Sequence, residues 1–397
     1  MVDNQHRRFK FYHHTSLFLA VAIGICLTEN AQAAVKYPPI SNDKATFQDL
    51  GFLGTGENSR AFGVSPNGKY IAGWSWSVGV SRQQAFLWSQ STGMVPLGDL
   101  PGGQFLSEAT DVSDNGVAIG TSSVGEGIGA SHPFRWTQEE GMISLGTLGG
   151  SEIQGSAEDI SADGRVIVGY SKNQNNTPMA FRWTRESGMV ELGKDILPEF
   201  SGSYALGVSS DGTTIVGFGG VDFGGWRWRE GSGFEPLGRL SQSNQSIARA
   251  TSSDGSVVVG QSGNAFLWTA QEGIGDLGKI IGGPNSSRAF GVTGNGEVVV
   301  GDSDFNGVPF IWDAANHMRN LQDVLVSDFD LTLPGWKIET AQDISADGKV
   351  VVGWAIRPDG LQSAYRLVFE PVVPEPSTLA LGVACLSCYF ACNRSRG

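Results

Sequence analysis

One all-β domain, a seven-bladed β-propeller closed into a ring by an N-terminal strand, is the fold this sequence predicts, on three observations. An Asn-Gly or Asp-Gly pair followed by a short β-branched run ending in glycine occurs seven times, at Asn67-Gly68, Asn115-Gly116, Asp163-Gly164, Asp211-Gly212, Asp254-Gly255, Asn295-Gly296 and Asp347-Gly348, at spacings of 48, 48, 48, 43, 41 and 52 residues. Around the pairs four landmarks recur, so one supersecondary unit of 41–52 residues is copied, and no copy can bury its apolar face alone. The last unit lacks its fourth landmark, and a spare one stands ahead of the first unit.

The first landmark, A-x-x-[VIT]-[ST] as in Ala157-Glu158-Asp159-Ile160-Ser161, reads as a strand entering the turn. The second is the apolar run after the turn, such as Val166-Ile167-Val168-Gly169. Asn-Gly and Asp-Gly favour the positive φ angles of tight hairpins, so these two strands are expected to pair antiparallel. The third is Ala85-Phe86-Leu87-Trp88, repeated as Pro133-Phe134-Arg135-Trp136, Ala180-Phe181-Arg182-Trp183, Gly225-Trp226-Arg227-Trp228, Ala265-Phe266-Leu267-Trp268 and Pro309-Phe310-Ile311-Trp312. Its alternation suits a strand with one covered face. The fourth is a Leu-Gly strand, at Leu97-Gly98, Leu145-Gly146, Leu192-Gly193, Leu237-Gly238 and Leu277-Gly278. Four short antiparallel strands per unit is the pattern of propeller blades, which bury both sheet faces radially.

The seventh unit ends at its third strand, Ala364-Tyr365-Arg366-Leu367, and the spare fourth strand is Leu50-Gly51-Phe52-Leu53. A ring in which that segment completes the last blade accounts for both; an open β-solenoid or another blade count are the alternatives.

The ends read as addresses, giving a secretory signal at 1–33, a linker at 34–45, the repeat domain at 46–370 and a sorting segment at 371–397. Arg7, Arg8 and Lys10 precede the apolar stretch Leu17 to Leu27, and Ala31-Gln32-Ala33 follows. Basic region, apolar core and A-x-A site make a secretory signal, cut after Ala33 by signal peptidase, and the core is too short for a permanent span. At the other end Val373-Pro374-Glu375-Pro376 is followed by a short apolar run and by a basic cluster containing Arg394 and Arg396. Pro376 sets the start of a helix, and the basic residues would stay on the cytoplasmic side, as a transient membrane anchor. All four cysteines lie in these two ends, so the repeats carry no disulfide and no thiolate site.

This C-terminus resembles the PEP-CTERM sorting signal of bacteria with Gram-negative-type envelopes. The resemblance implies processing by an exosortase and delivery to the cell surface or the exopolysaccharide matrix. The A-F-[LRI]-W clusters with their Leu-Gly partners resemble the HAF family of extracellular repeats across residues 46–369. That resemblance implies secretion and repeat architecture, without a particular reaction. The His-Ala-Phe triplet that names the family survives only as His132 beside Pro133; elsewhere the position holds Gln84, Met179, Asn264, Val308 or Ser363.

Chemistry is sparse. The net charge is −13, and removing both ends leaves 22 basic residues against 37 acidic ones, which argues against nucleic acid. Only His132 and His317 remain between the end segments, so no multi-histidine metal site is expected, and no nucleophile elbow or phosphate-binding loop is found. Asp111, Ser113 and Asn115, Asp159, Ser161 and Asp163, and Asp343, Ser345 and Asp347 have the odd-position spacing of a calcium loop. Position twelve is Ser122, Tyr170 or Trp354, not a carboxylate, so these read as turns and no metal or cofactor is expected. Trp88, Trp136, Trp183, Trp228, Trp268 and Trp312 read as core between blades, whereas Trp74, Trp76 and Trp354 lie off that register and could stack on sugar rings.

The expectation is an exported, non-catalytic binding or structural module, with an extracellular polysaccharide or surface protein as partner. The alternative is a secreted glycan-active hydrolase or lyase using channel carboxylates.

Overall fold

In the computed structural model the described residues run from 43 to 371, except 55, 78–81, 126–129, 151–153, 194–201, 220–223, 242, 281–285 and 304–306. Both end segments, with Ala33, Pro374, Glu375, Pro376, Arg394 and Arg396, lie outside them. Among the described residues there are seven four-stranded antiparallel sheets and one short helix. The sheets are the blades of a seven-bladed propeller, each built outward from an inner strand: Ser59–Val64, Ser107–Val112, Gly155–Ile160, Ser203–Val208, Ile247–Thr251, Ser287–Val292 and Lys337–Ile344.

The hairpin after each inner strand follows from the repeated Ser-x-Asn/Asp-Gly. In the first, Ser65 N–H donates to Tyr70 O (3.0 Å) and Gly68 N–H to Ser65 O (2.7 Å). Gly68 takes a positive φ, +70°, and Asn67 does not, so the glycine is the residue whose conformational freedom closes the turn. The buried Ser65 hydroxyl donates to Asn67 Oδ1 (2.9 Å) and accepts from Tyr70 N–H (2.9 Å). Ser113, Ser161, Ser209, Ser252, Thr293 and Ser345 likewise accept from strand two in their own blades.

The glycine ending each apolar run has a separate cause. A bulge in every inner strand, as between Ala61 and Gly63, pushes a carbonyl outward against strand two. At Gly73, Gly120, Gly169, Gly217, Gly260, Gly301 and Gly353 a β-carbon would collide with that carbonyl. Each of these glycines also pairs with the aromatic residue of strand three, Gly73 with Phe86 through Gly353 with Tyr365, and those rings are fully buried.

The Leu-Gly landmark lies just past strand four in blades 1, 2, 3 and 5, and forms the last two residues of that strand in blade 4. In blade 1 that strand is Gly93–Pro96; Leu97 adds one more ladder bond, to Ala85 O (2.9 Å), and Gly98 turns the chain away at φ +79°. The closing strand is displaced the same way. Asp43–Gly51 completes blade 7, pairing with Gln362–Pro371 from Asp43 opposite Pro371 to Gly51 opposite Ala364. It therefore begins inside the segment read as linker, and Phe52 and Leu53 lie past its end. The ring closes as the spare landmark implied, and an open solenoid is excluded.

Seven apolar clusters fill the seven interfaces between neighbouring blades. That between blades 1 and 2, for instance, joins Ala72, Ala85 and Leu97 to Ala109, Val112 and Phe134. The six strand-three tryptophans all pack into these clusters, Trp88 and Trp268 fully buried. The long spacing before the last unit is occupied by the helix, Leu321–Phe329, capped by Asn320 Oδ1 accepting from Gln322 N–H (2.8 Å) and burying Leu321, Val324 and Leu325. Among the described residues no helix is long and apolar enough to cross a membrane.

Candidate functional site

The inner strands surround a cavity of about 360 Å³ on the propeller axis. That volume falls among pockets that hold small organic ligands, roughly 300–1,000 Å³. Within the motif A-x-x-[VIT]-[ST] the alanine is fully buried in all seven blades, and the next residue lines the cavity. From blade 1 to blade 7 those residues are Phe62, Thr110, Glu158, Leu206, Arg249, Phe290 and Gln342. Two phenylalanines thus flank Gln342 on one wall, and Glu158 and Arg249 flank Leu206 on the other.

The following position carries an acid in three blades. Asp343 accepts from Ile344 N–H (2.7 Å) and from Val64 N–H of the next blade (2.8 Å). Asp159 does the same with Ile160 N–H (2.7 Å) and Val208 N–H of blade 4 (2.7 Å). Asp111 accepts from Ile160 N–H (3.3 Å) and shares a hydrogen bond with the Asp159 carboxyl. Burial raises all three, pushing Asp343 up to about 7; for Asp111 the neighbouring Asp159 charge adds to burial and holds it well above the usual range. Glu158 is also raised to about 7, first by burial, with the Ser156 hydroxyl and Arg249 opposing and Glu108 reinforcing. Glu108, bonded to Gln83 Nε2 (2.6 Å), is raised by burial as well.

At the hairpin end the cavity is bounded by a circle of main chain. Asp114 N–H donates to Ala162 O, Ala162 to Ser210, Ser210 to Ser253, Ser253 to Gly294, Gly294 to Ala346 and Ala346 to Pro66, at 2.9–3.1 Å. Pro66 has no N–H for the seventh bond. Asn67 replaces it, its N–H donating to Asp114 Oδ1 (2.8 Å) and its amide Nδ2 to Asp114 O (3.2 Å).

At the opposite end, Arg60 lies 4.7 Å from the Trp354 ring and 5.5 Å from Trp74, with Nε donating to Gln362 Oε1 (2.7 Å). Phe62 meets the Trp354 edge at 5.8 Å. Of the three off-register tryptophans, Trp74 is buried (7% exposed), Trp354 is half-buried beneath Arg60, and only Trp76 (42% exposed) is open to solvent. The calcium-like triplets are divided by the fold. Asp111, Asp159 and Asp343 bond inner-strand N–H groups, while Asp163 stays in its turn, accepting from Ser161 Oγ (2.7 Å) and Arg165 N–H (3.0 Å). Among the described residues no group of three or more His, Cys, Asp or Glu side chains is placed to hold a metal. His132 pairs with Ser144 Oγ (2.8 Å) in blade 2, and His317 takes a positive φ, +57°, at a hairpin.

Sequence reasoning overlooked the cavity-lining column, although its signal was present: it is the position that changes chemistry inside an otherwise constant motif.

No protein-family profile and no curated protein matches the chain. Among solved structures, the chain is similar to the β-propeller domain of the trilobed protease from Pyrococcus furiosus, at 10% identity and TM-score 0.48 over 82% of this chain and 95% of that one. The Cps50 (Swd1) propeller from Myceliophteria thermophila aligns at 10% identity and TM-score 0.47, over 81% and 99% of the two chains. TolB from Acinetobacter baumannii aligns at 11% and 0.39, over 77% of this chain and 64% of TolB. Each is a similarity of fold alone.

Proposed function

We propose that the protein is an exported, non-catalytic binding module, delivered by its end signals to the cell surface or exopolysaccharide matrix, with the axial cavity as its ligand site. The signal-like ends and the HAF-type and PEP-CTERM-type motifs support the delivery. The observation that carries the binding reading is the use made of the axial aspartates. Asp159 and Asp343 spend both oxygens on main-chain N–H groups, one of each pair in the next blade, and Asp111 is tied to Asp159. They fasten blades together and are not free to flank a scissile bond as a hydrolase requires.

A glycan-active enzyme is the second reading, favoured by Glu158, whose carboxyl holds its proton to about 7 as a general acid would. Incubating the protein with a panel of polysaccharides separates the two: retention without chain shortening supports binding, and shortening that disappears in Glu158→Gln supports catalysis.

A further inference from the structure

Arg249 is out of balance with its surroundings. Its Nη2 donates to Gln261 Oε1 (3.2 Å) and its plane lies 5.4 Å from the Phe290 ring, but Nε is buried without a hydrogen-bond partner. Among the described residues it forms no ion pair: the neighbouring Arg288 holds Asp302 in a two-pronged bridge (2.6 and 2.8 Å), and Asp302 and Glu158 attract it only from beyond ion-pair distance. A buried guanidinium without a counter-ion is costly, and a cavity wall that carries one is suited to a ligand that supplies the anion.

The rest of the cavity fits the same ligand. Phe62 and Phe290, on the wall beyond Gln342, offer apolar surface to the C–H face of a pyranose, and Thr110, Gln342 and Glu158 offer partners for hydroxyls. The acids there do not oppose an anion strongly near neutral pH, because Asp111 and Asp159 share a hydrogen bond and burial holds Asp343 and Glu158 largely protonated below about 7. The groups facing Glu158 are Glu108 on the preceding blade, Asp159 beside it, Tyr170 on the adjoining strand and Arg249. At the hairpin end the axis is encircled by the main-chain hydrogen bonds that link neighbouring hairpins.

We propose that the cavity takes the terminal, carboxylate-bearing residue of an acidic polysaccharide, end-on, with Arg249 binding the carboxylate and Phe62 and Phe290 bracketing the sugar ring. This rests on reading the cavity as a ligand site. The test is calorimetric titration of the intact protein with trigalacturonate and with neutral galactotriose, at pH 6 and pH 8. Trigalacturonate is expected to bind about tenfold or more tightly than galactotriose at pH 6. Arg249→Gln should erase that preference, and Arg249→Lys should restore part of it. Glu158→Gln should strengthen trigalacturonate binding at pH 8 and change little at pH 6, which tests the site without altering Arg249. Equal affinity for the two trisaccharides, or an unchanged preference in Arg249→Gln, overturns the carboxylate inference and leaves the binding module standing. Binding of neither trisaccharide, together with no retention on any polysaccharide, overturns both.

Discussion

Replacing Phe47 with alanine should unlatch the ring. Phe47 sits in the closing strand, stacked on Tyr365 at 5.3 Å and 23° and edge-on to Trp336 at 5.0 Å. Truncating a core phenylalanine costs about 3–5 kcal/mol. Phe47 is half-buried, which reduces that to about 2, and two aromatic contacts add about 0.5–1.5 each, so about 3–5 kcal/mol is expected. In a domain of this size that lowers Tm by about 4–7 °C. The matched control is Phe234→Ala, in strand four of blade 4, where the ring meets Trp226 edge-on at 4.9 Å and the strand is covalently continuous with its own blade. Hydrogen exchange read by mass spectrometry distinguishes the two. Phe47→Ala should speed exchange across 337–371 and into the inner strand of blade 1, because the latch joins the two ends of the domain. Phe234→Ala should loosen only 224–238. If Phe47→Ala leaves 362–371 as protected as before while only 43–51 exchanges faster, the closing strand is a passive edge and the latch argument fails.

Gly169→Ala sets a β-carbon against the Ser156 carbonyl and should cost about 2–4 kcal/mol, with a Tm loss under 2 °C showing that the bulge can yield. Glu158→Gln should be close to wild type in stability at pH 5 and up to about 3 kcal/mol more stable at pH 8. The sign follows from a folded pKa of about 7 against a free value of 4.5: the unfolded chain ionises first, so the wild type loses stability as pH rises between them. Urea titrations that diverge at pH 5 instead of pH 8 would contradict this. Pro66→Ala supplies the absent N–H of the axial circle, a gain of about 1 kcal/mol offset by about 0.4–1 kcal/mol of added chain entropy when unfolded. Its Tm should barely move, while the new residue-66 amide should exchange slowly; a fast-exchanging amide would show that the circle does not close there.

The blade count, the closing strand and the strand order were legible because each depends on something local that recurs: a glycine turn, a buried Phe or Trp, a missing Leu-Gly. Boundaries were less so. Leu-Gly looked like a strand and is the corner at its end, since its glycine adopts a positive φ that only the folded turn reveals. The helix at Leu321–Phe329 interrupts the repeat once, so periodicity had nothing to say about it. Asp111 and Asp159 were visible as acids but not as a coupled pair, because their meeting depends on how neighbouring inner strands face one another across 48 residues of chain. The placing of Glu158 and Arg249 on either side of Leu206 was hidden for the same reason, being a matter of order around the ring.

The pairing of Asp43 with Pro371 gives the molecule a direction. Phe369 N–H bonds Lys349 O beside the blade 7 hairpin, so both described ends leave on the hairpin side, whereas Trp354 and Gln362 lie at the other end of the same strands, next to Arg60. A tether attached after Pro371 would therefore hold the ring like a cup on a stem, hairpins toward the surface that holds the stem and the arginine-and-tryptophan rim outward. In that orientation attachment and capture do not compete for space. Many copies could stand side by side on one surface, every cup facing the medium from which a ligand would arrive.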